Sequence, residues 1–221
     1  MNLSVFCLAT VLLHFAQSLP ASFDWRQHNA VSPVKNQGEL GKSDWLATLG
    51  SIESLNFIRR GKLVSLSTAE MEDCCQTIDD APTCIGKLKG LCSEADYPTA
   101  AGACKKSLCT PAITITGFHA PTAGDEKQLQ KALLKNPVVA YIDASRPSFQ
   151  LYRGGVYDDE KCSSSMLDHA ILIIGYGMMQ GKPYWICQNS WGKSWGMNGY
   201  VLIARGSNRC GIASQTYYPY V

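Results

Sequence analysis

The sequence predicts an α+β fold of two lobes, a helical one followed by a β-rich one. Three observations carry this. Residues 43–60 place Trp45, Leu46, Leu49, Ile52, Leu55 and Ile58 mostly at helical spacing, the signature of a packed helix. Six cysteines with several Gly and Pro crowd residues 74–111, which reads as a cross-linked, loop-like region. Beyond residue 112 the apolar runs shorten to strand length, at Val138–Asp143, Ala170–Gly175, Tyr184–Cys187 and Gly199–Ala204. The change of character near 112 divides the chain into residues 19–112 and 113–221. There are no internal repeats or low-complexity tracts.

In chain order, Met1–Ser4 is short and polar, Val5–Phe15 is nearly all apolar, and Ala16-Gln17-Ser18 is a small-x-small cleavage pattern. Residues 1–18 thus read as a secretory signal, its apolar run too short to span a bilayer. Leu19–Asn36 is extended, with a turn at Pro33. A glycine-containing turn from Gln37 leads into the helix beginning at Ser43, which Gly61 stops. Ser67, with Glu70 three residues on, forms a capping box for a second helix. Ala112–Phe118 is β-like, and Glu126–Leu134 is a short helix whose Glu126, Lys127, Lys131 and Lys135 read as a solvated face.

Net charge is +2, from 20 Lys and Arg against 18 Asp and Glu, with no dense basic run, so neither nucleic acid nor a membrane surface is an expected partner. Of ten cysteines, nine follow the signal, which fits an oxidising compartment and leaves at least one thiol without a partner in the chain. No C-x₂-C pair occurs, so no metal and no cofactor are expected. His28 and His119 sit in loop-like contexts and read as surface residues.

Three segments carry more specific chemistry: PVKNQGELGKSDW, LDHAILIIGYG and YWICQNSWGKSWGMNGY. They resemble the active-site segments of papain-like cysteine peptidases. The ends, LPASFDWR and CGIASQTYYPYV, are most similar to the cathepsin L branch. The resemblance covers Leu19–Val221 and implies a helical left lobe, a β-barrel-like right lobe and an active-site cleft between them. It assigns Gln37 to the oxyanion hole, a donor for charge developing on a scissile carbonyl. It assigns His169 to the imidazole that pairs with the nucleophile, Asn189 to the amide that orients it, and Trp191 to the indole shielding that bond. Gly41, Asp168 and Trp195 match cleft-lining positions. His169 and Asn189 follow residue 43 by 126 and 146 positions, close to the roughly 130–150 expected of such a site.

The nucleophile departs from the family pattern. The family reads Q-G-x-C-G-S-C-W where this chain reads Q-G-E-L-G-K-S-D-W. The family places its nucleophile six residues after the Gln and ten before a helical Glu; counting from Gln37 and from Glu53 both lands on 43. Ser43 therefore replaces the cysteine, Asp44 the next tryptophan, Lys42 a small residue and Leu40 a half-cystine. A cysteine there works as a thiolate, its pKa lowered to about 3–4 beside an imidazolium. A hydroxyl is not pre-ionised this way and needs a strong base, yet this base is oriented by a neutral Asn189. In serine peptidases an Asp-to-Asn change at the orienting position lowers turnover about 10⁴-fold. Asp44 adds a carboxylate that opposes an anion, and a Lys42 on a diverging helical position is a poor substitute base.

Cys84-Ile85-Gly86-Lys87 matches the family's C-N-G-G. Lys87 stands where a glycine backbone approaches substrate, and the helix that follows in the family is expected to be lost. The signal runs straight into LPASFDWR, so no pro-segment is expected. By resemblance Cys74 pairs with Cys104 and Cys162 with Cys210. Cys75, Cys84, Cys92 and Cys109 then have three possible connectivities, and Cys187 is the expected buried free thiol. The expectation is a secreted, or by resemblance lysosomal, monomeric pseudo-peptidase that acts by binding peptides or cystatin-type inhibitors. The competing expectation is residual cysteine-peptidase-type endopeptidase activity, or another hydrolase or condensing activity, through Ser43, His169 and Asn189.

Overall fold

The computed structural model describes residues 19–78 and 80–221; the signal reading of residues 1–18 lies outside them. The chain opens with β1 (Phe23–Asp24) and a 3-10 turn, Trp25–His28, capped by the Asp24 side chain accepting from Arg26 N. A second 3-10 turn, Gly38–Leu40, and Gly41 at φ +65° then reverse the chain into α1 (Ser43–Arg60). Gly61 ends α1 in the left-handed conformation, its N–H donating to Phe57 O, which is the role its missing Cβ suits it for.

α2 (Thr68–Cys74) is capped by Ser67, whose hydroxyl accepts from Glu70 N at 2.9 Å. The other half of the expected capping box is redirected: the Glu70 carboxylate accepts from Cys92 N at 2.8 Å. A tertiary contact with a buried N–H has replaced a local one.

The stretch expected to be loop-like holds α3 (Ala81–Leu88). Asp80 caps it by accepting from Thr83 N at 2.8 Å, with Pro82 in the first turn, where a missing N–H costs nothing. Ala81, Cys84 and Ile85 face inward, at helical spacing. Cys84–Lys87 is therefore helical rather than loop-like, within a helix that ends at Leu88.

The second half supplies β2 (Gly117–His119), α4 (Glu126–Leu133), β3 (Val138–Ile142), α5 (Pro147–Gln150) and β4 (Val156–Tyr157), then β5 (His169–Met179), β6 (Lys182–Gln188), β7 (Tyr200–Ala204) and β8 (Thr216–Tyr220). The strands run β2-β8-β3-β5-β6-β7-β4, with β1 added on β5. This is an open sheet rather than a closed barrel. β5 and β6 form a hairpin about Gln180 and Gly181, both at positive φ, the turn whose twist matches paired strands.

α1 is the partition of the molecule. It is buried from Ser43 to Asn56 except at Asp44. One side packs on the sheet, where Ala47 meets Ala170, Leu172, Ile174 and Tyr217. The other packs on α2 and α3, where Trp45, Leu49 and Ile52 meet Met71, Cys75, Cys84 and Ile85. The far face of the sheet forms a third cluster around Trp185, Tyr176 and Phe149, closed by α4. Glu126 is part of this closure, not of a solvated face: its carboxylate accepts from Trp185 Nε1 at 2.9 Å and from Gly206 N and Asn208 N.

Among the described residues four disulfides are formed: Cys74–Cys104, Cys75–Cys84, Cys92–Cys109 and Cys162–Cys210. Cys187 is buried and free, its thiol pKa pushed up by burial. Among the same residues no helix is long and apolar enough to cross a membrane, and no His, Cys, Asp and Glu cluster suits a metal ion.

Candidate active site

Ser43 is the first residue of α1 and His169 the first of β5, so the packing of α1 on the sheet brings them together. The contact is to the backbone: Ser43 Oγ accepts from Ala170 N, the residue after His169, at 3.0 Å. Asn189 follows β6, the neighbour of β5, and its Oδ1 lies 2.7 Å from His169 Nε2. Because Oδ1 only accepts, Nε2 carries the hydrogen and Nδ1 is left as the ring's acceptor. Asn189 Oδ1 also accepts from Ser190 N at 2.8 Å, which fixes the amide. The Trp191 ring covers the pair, with its centroid 4.8 Å from that of His169, and Trp195 and Phe149 pack edge-on or tilted behind it.

His169 is only 6 % exposed. Desolvation lowers its pKa; the hydrogen bond to Asn189 and the nearby Asp168 oppose that shift without reversing it. The ring is thus held neutral.

Gln37 is anchored through its backbone N–H to Ser190 O at 2.8 Å, and its Oε1 accepts from Ser190 Oγ at 2.6 Å. With the oxygen end tied, the amide nitrogen is its free end. Asp168 is exposed and held by its backbone N–H to Ile142 O, while its carboxylate accepts from Ala144 N at 2.7 Å. Gly41 is exposed in the turn before Ser43.

Lys42 holds its ammonium over the Trp45 ring, 5.2 Å from the centroid. Gly86 and Lys87 are exposed on α3, and Lys87 O accepts from Lys106 Nζ. The part of α3 nearest the site is its start: the backbones of Trp45 and Ala81 act to lower the Asp44 pKa. Burial nonetheless raises the Asp44 pKa, and its Oδ2 has no partner among the described residues. His28 and His119 are exposed, stacked on Phe23 and Tyr220.

Sequence reasoning missed a hydroxyl pair at the start of α1. Tyr217 lies 2.7 Å from Thr48 Oγ1, and Thr48 donates to Asp44 O at 2.6 Å, with the Tyr141 ring packed at 6.4 Å from that of Tyr217. The available signal was a tyrosine in the otherwise aliphatic strand Val138–Ile142. Also missed was the anchoring role of Glu53, fully buried in α1, whose Oε1 accepts from Lys35 Nζ and from Leu66 N, each at 2.8 Å. Glu53 and Asn189 line a cavity of about 20 Å³ behind the His–Asn pair, with Ser32, Lys35 and Gln188.

A family model described as "Papain family cysteine protease" matches residues 19–220. The chain belongs to this family. It is 44 % identical over 214 residues to Cysteine proteinase 3 of Dictyostelium discoideum, covering 90 % of this chain and 64 % of that protein. It is 39 % identical over 219 residues to Cathepsin L of Sarcophaga peregrina, covering 92 % and 65 %. The chain thus spans just under two thirds of the length of these two relatives. The structure is similar to that of bromelain from Ananas comosus in complex with the E64 inhibitor, at a TM-score of 0.83 and 36 % identity, covering 91 % of this chain and 99 % of that one. Family and fold are therefore papain-like and cathepsin L-like.

Proposed function

We propose that this chain is a secreted papain-fold pseudo-peptidase, one that binds in or around its cleft without cutting. The observation that carries the reading is the state of Ser43. It stands at the nucleophile position, its Oγ accepts a backbone N–H, and the nearby base is a desolvated imidazole oriented by an amide. A thiol in this position is activated by ion-pair formation with the imidazolium. A hydroxyl has no such route, and burial disfavours the imidazolium it would create. Asp44 adds a further obstacle, because a carboxylate beside the nucleophile opposes a developing negative charge. Export fits the signal-like residues 1–18 and the four disulfides, and a lysosomal location is the family-based alternative. The expected partners are peptides or cystatin-type inhibitors, engaged by a monomer.

One observation favours a second reading, residual hydrolysis: the His169–Asn189 bond, its indole cover and the Gln37 anchor are all intact. Assay of the purified protein on peptide substrates, beside Ser43→Ala and Ser43→Cys variants, separates the two. The proposal expects no turnover above the Ser43→Ala background. Turnover lost in Ser43→Ala would sink it. Titration with a cystatin-type inhibitor tests the partner, and absence of binding would remove the decoy role.

A further inference from the structure

The end of α1 remote from Ser43 carries chemistry that the candidate active site does not use. Leu55, Ile58 and Arg59 share one face there, spaced i, i+3 and i+4. That face closes one side of a cavity of about 380 Å³, whose other sides come from β2, β8 and the turn after α4. The size suits a small organic ligand. Arg59 lies 16 residues along the helix from Ser43. At 1.5 Å per residue that is roughly 24 Å, so the two sites are separate.

Three features of the lining point to one kind of ligand. The first is charge. Arg59 and Lys135 are exposed and enter none of the ion pairs among the described residues. Lys131, four residues before Lys135, borders an adjoining depression that shares Lys135 and Tyr218. The carboxylate of Val221 is the negative charge that stands against these three. The second feature is apolar and aromatic surface. Leu55, Ile58 and Pro219 line the cavity, and His119 stacks on Tyr220 beside them with ring centroids 4.1 Å apart.

The third is Asn136, which is 1 % exposed. Its Nδ2 donates to Ser51 O, Ser51 Oγ and Pro137 O at 3.1, 2.9 and 2.9 Å, which fixes the orientation of the amide. Its Oδ1 is buried and has no partner among the described residues. A buried acceptor is costly until a donor meets it. An anion, an apolar ring and an N–H donor occur together in an N-acyl aromatic amino acid, which is the chemistry of a peptide's last residue.

We propose that this cavity binds the C-terminal residue of a peptide, one with an aromatic or large apolar side chain. Arg59 and Lys135 take the terminal carboxylate, Arg59 with the fork that matches it. The apolar lining takes the side chain, and Asn136 Oδ1 accepts from the amide N–H. The site does not depend on whether Ser43 acts.

The test titrates the purified full chain, disulfides intact, with N-acetyl-phenylalanine and follows backbone amide shifts by NMR. Shifts are expected at Arg59, His119 and Lys135, and not at Ala170 beside Ser43. Three analogues each remove one feature: N-acetyl-phenylalaninamide lacks the charge, 3-phenylpropionate the N–H and N-acetyl-glycine the ring. Each should bind roughly 3- to 30-fold more weakly, the worth of one such contact. The double variant Arg59→Gln, Lys135→Gln changes two exposed side chains and should keep the melting temperature. It should bind the acid about 10-fold more weakly and the amide analogue as before. Equal binding of acid and amide, an unchanged affinity in the double variant, shifts confined to the surroundings of Ser43, or no shift at all would each overturn the proposal. So would a sulfated polysaccharide that shifts these residues when the amino acid does not, since the face would then be a general polyanion surface.

Discussion

Replacing Glu53 by Ala tests how the site is held together. The carboxylate is fully buried at mid-helix, and its Oε1 accepts from Lys35 Nζ and Leu66 N. Lys35 belongs to the strap that carries Gln37: Lys35 O accepts from Gly192 N, Asn36 bridges Trp191, and Gln37 N donates to Ser190 O. Leu66 N is buried, so losing its acceptor costs about 1–3 kcal/mol. The Lys35 side chain is 24 % exposed and can turn back to water, so its share is discounted to about 1 kcal/mol. The sum is about 2–4 kcal/mol. At about 2–4 °C per kcal/mol for a chain of this size, the melting temperature should fall by roughly 5–15 °C. Glu53→Gln keeps an acceptor for Leu66 and should lose only the Lys35 share, a few degrees. Thermal unfolding at neutral pH with disulfides intact, followed by circular dichroism and calorimetry, measures both. A drop under about 2 °C for Glu53→Ala would place the pair in the class of surface ion pairs, as would equal losses in the two variants. Either result would refute the anchoring argument.

Two further outcomes are expected. Loop-closure entropy makes Cys162–Cys210, with a sequence separation of 48, worth more than Cys75–Cys84, with one of 9: about 4 against about 3 kcal/mol. Paired Cys→Ser variants melted under non-reducing conditions should rank in that order, and the reverse order would count against entropy as the source. The second concerns pH. His169 has a folded pKa below its ordinary value of 6.5, so at acidic pH the unfolded chain binds the proton more readily. The neutral ring's contribution is therefore complete above about 6.5 and is lost as pH falls below it toward the folded value. Melting temperatures of the natural chain should drop more steeply between about pH 7 and 5 than those of His169→Gln. Parallel profiles would show that the ring is not held neutral by burial.

Much of this molecule was legible because its signals are local. The spacing from Trp45 to Ile58, the Gly61 stop and the Ser67 cap each act within a few residues, and α1 and α2 form where they point. The segments around Gln37, His169 and Asn189 carry dense and specific patterns, and the fold brings the three residues to one place. α3 was missed although Asp80, Pro82 and the inward residues Ala81, Cys84 and Ile85 were all visible. An eight-residue helix is marginal alone. What makes it a helix is the Cys75–Cys84 bond and packing against Trp45, both of which join it to other elements. Glu126 was misjudged for the same reason, since its partners Trp185, Gly206 and Asn208 lie far along the chain.

The sequence by itself determined the α+β class, and its resemblance to the papain-like family carried the family assignment and two of the disulfides found among the described residues. These follow from residue identity and motif, which are read without coordinates. Only the tertiary structure decided the pairing of Cys75, Cys84, Cys92 and Cys109, the direction of Lys42 toward Trp45, and the hydrogen bond that Ser43 actually makes. It alone placed Tyr141 opposite Ala170, because strand register sets which side chains share a face and no local pattern records it. The serine marks where the chemistry would be; what surrounds it is decided by residues about a hundred positions or more away, brought there by the packing of α1 against the sheet.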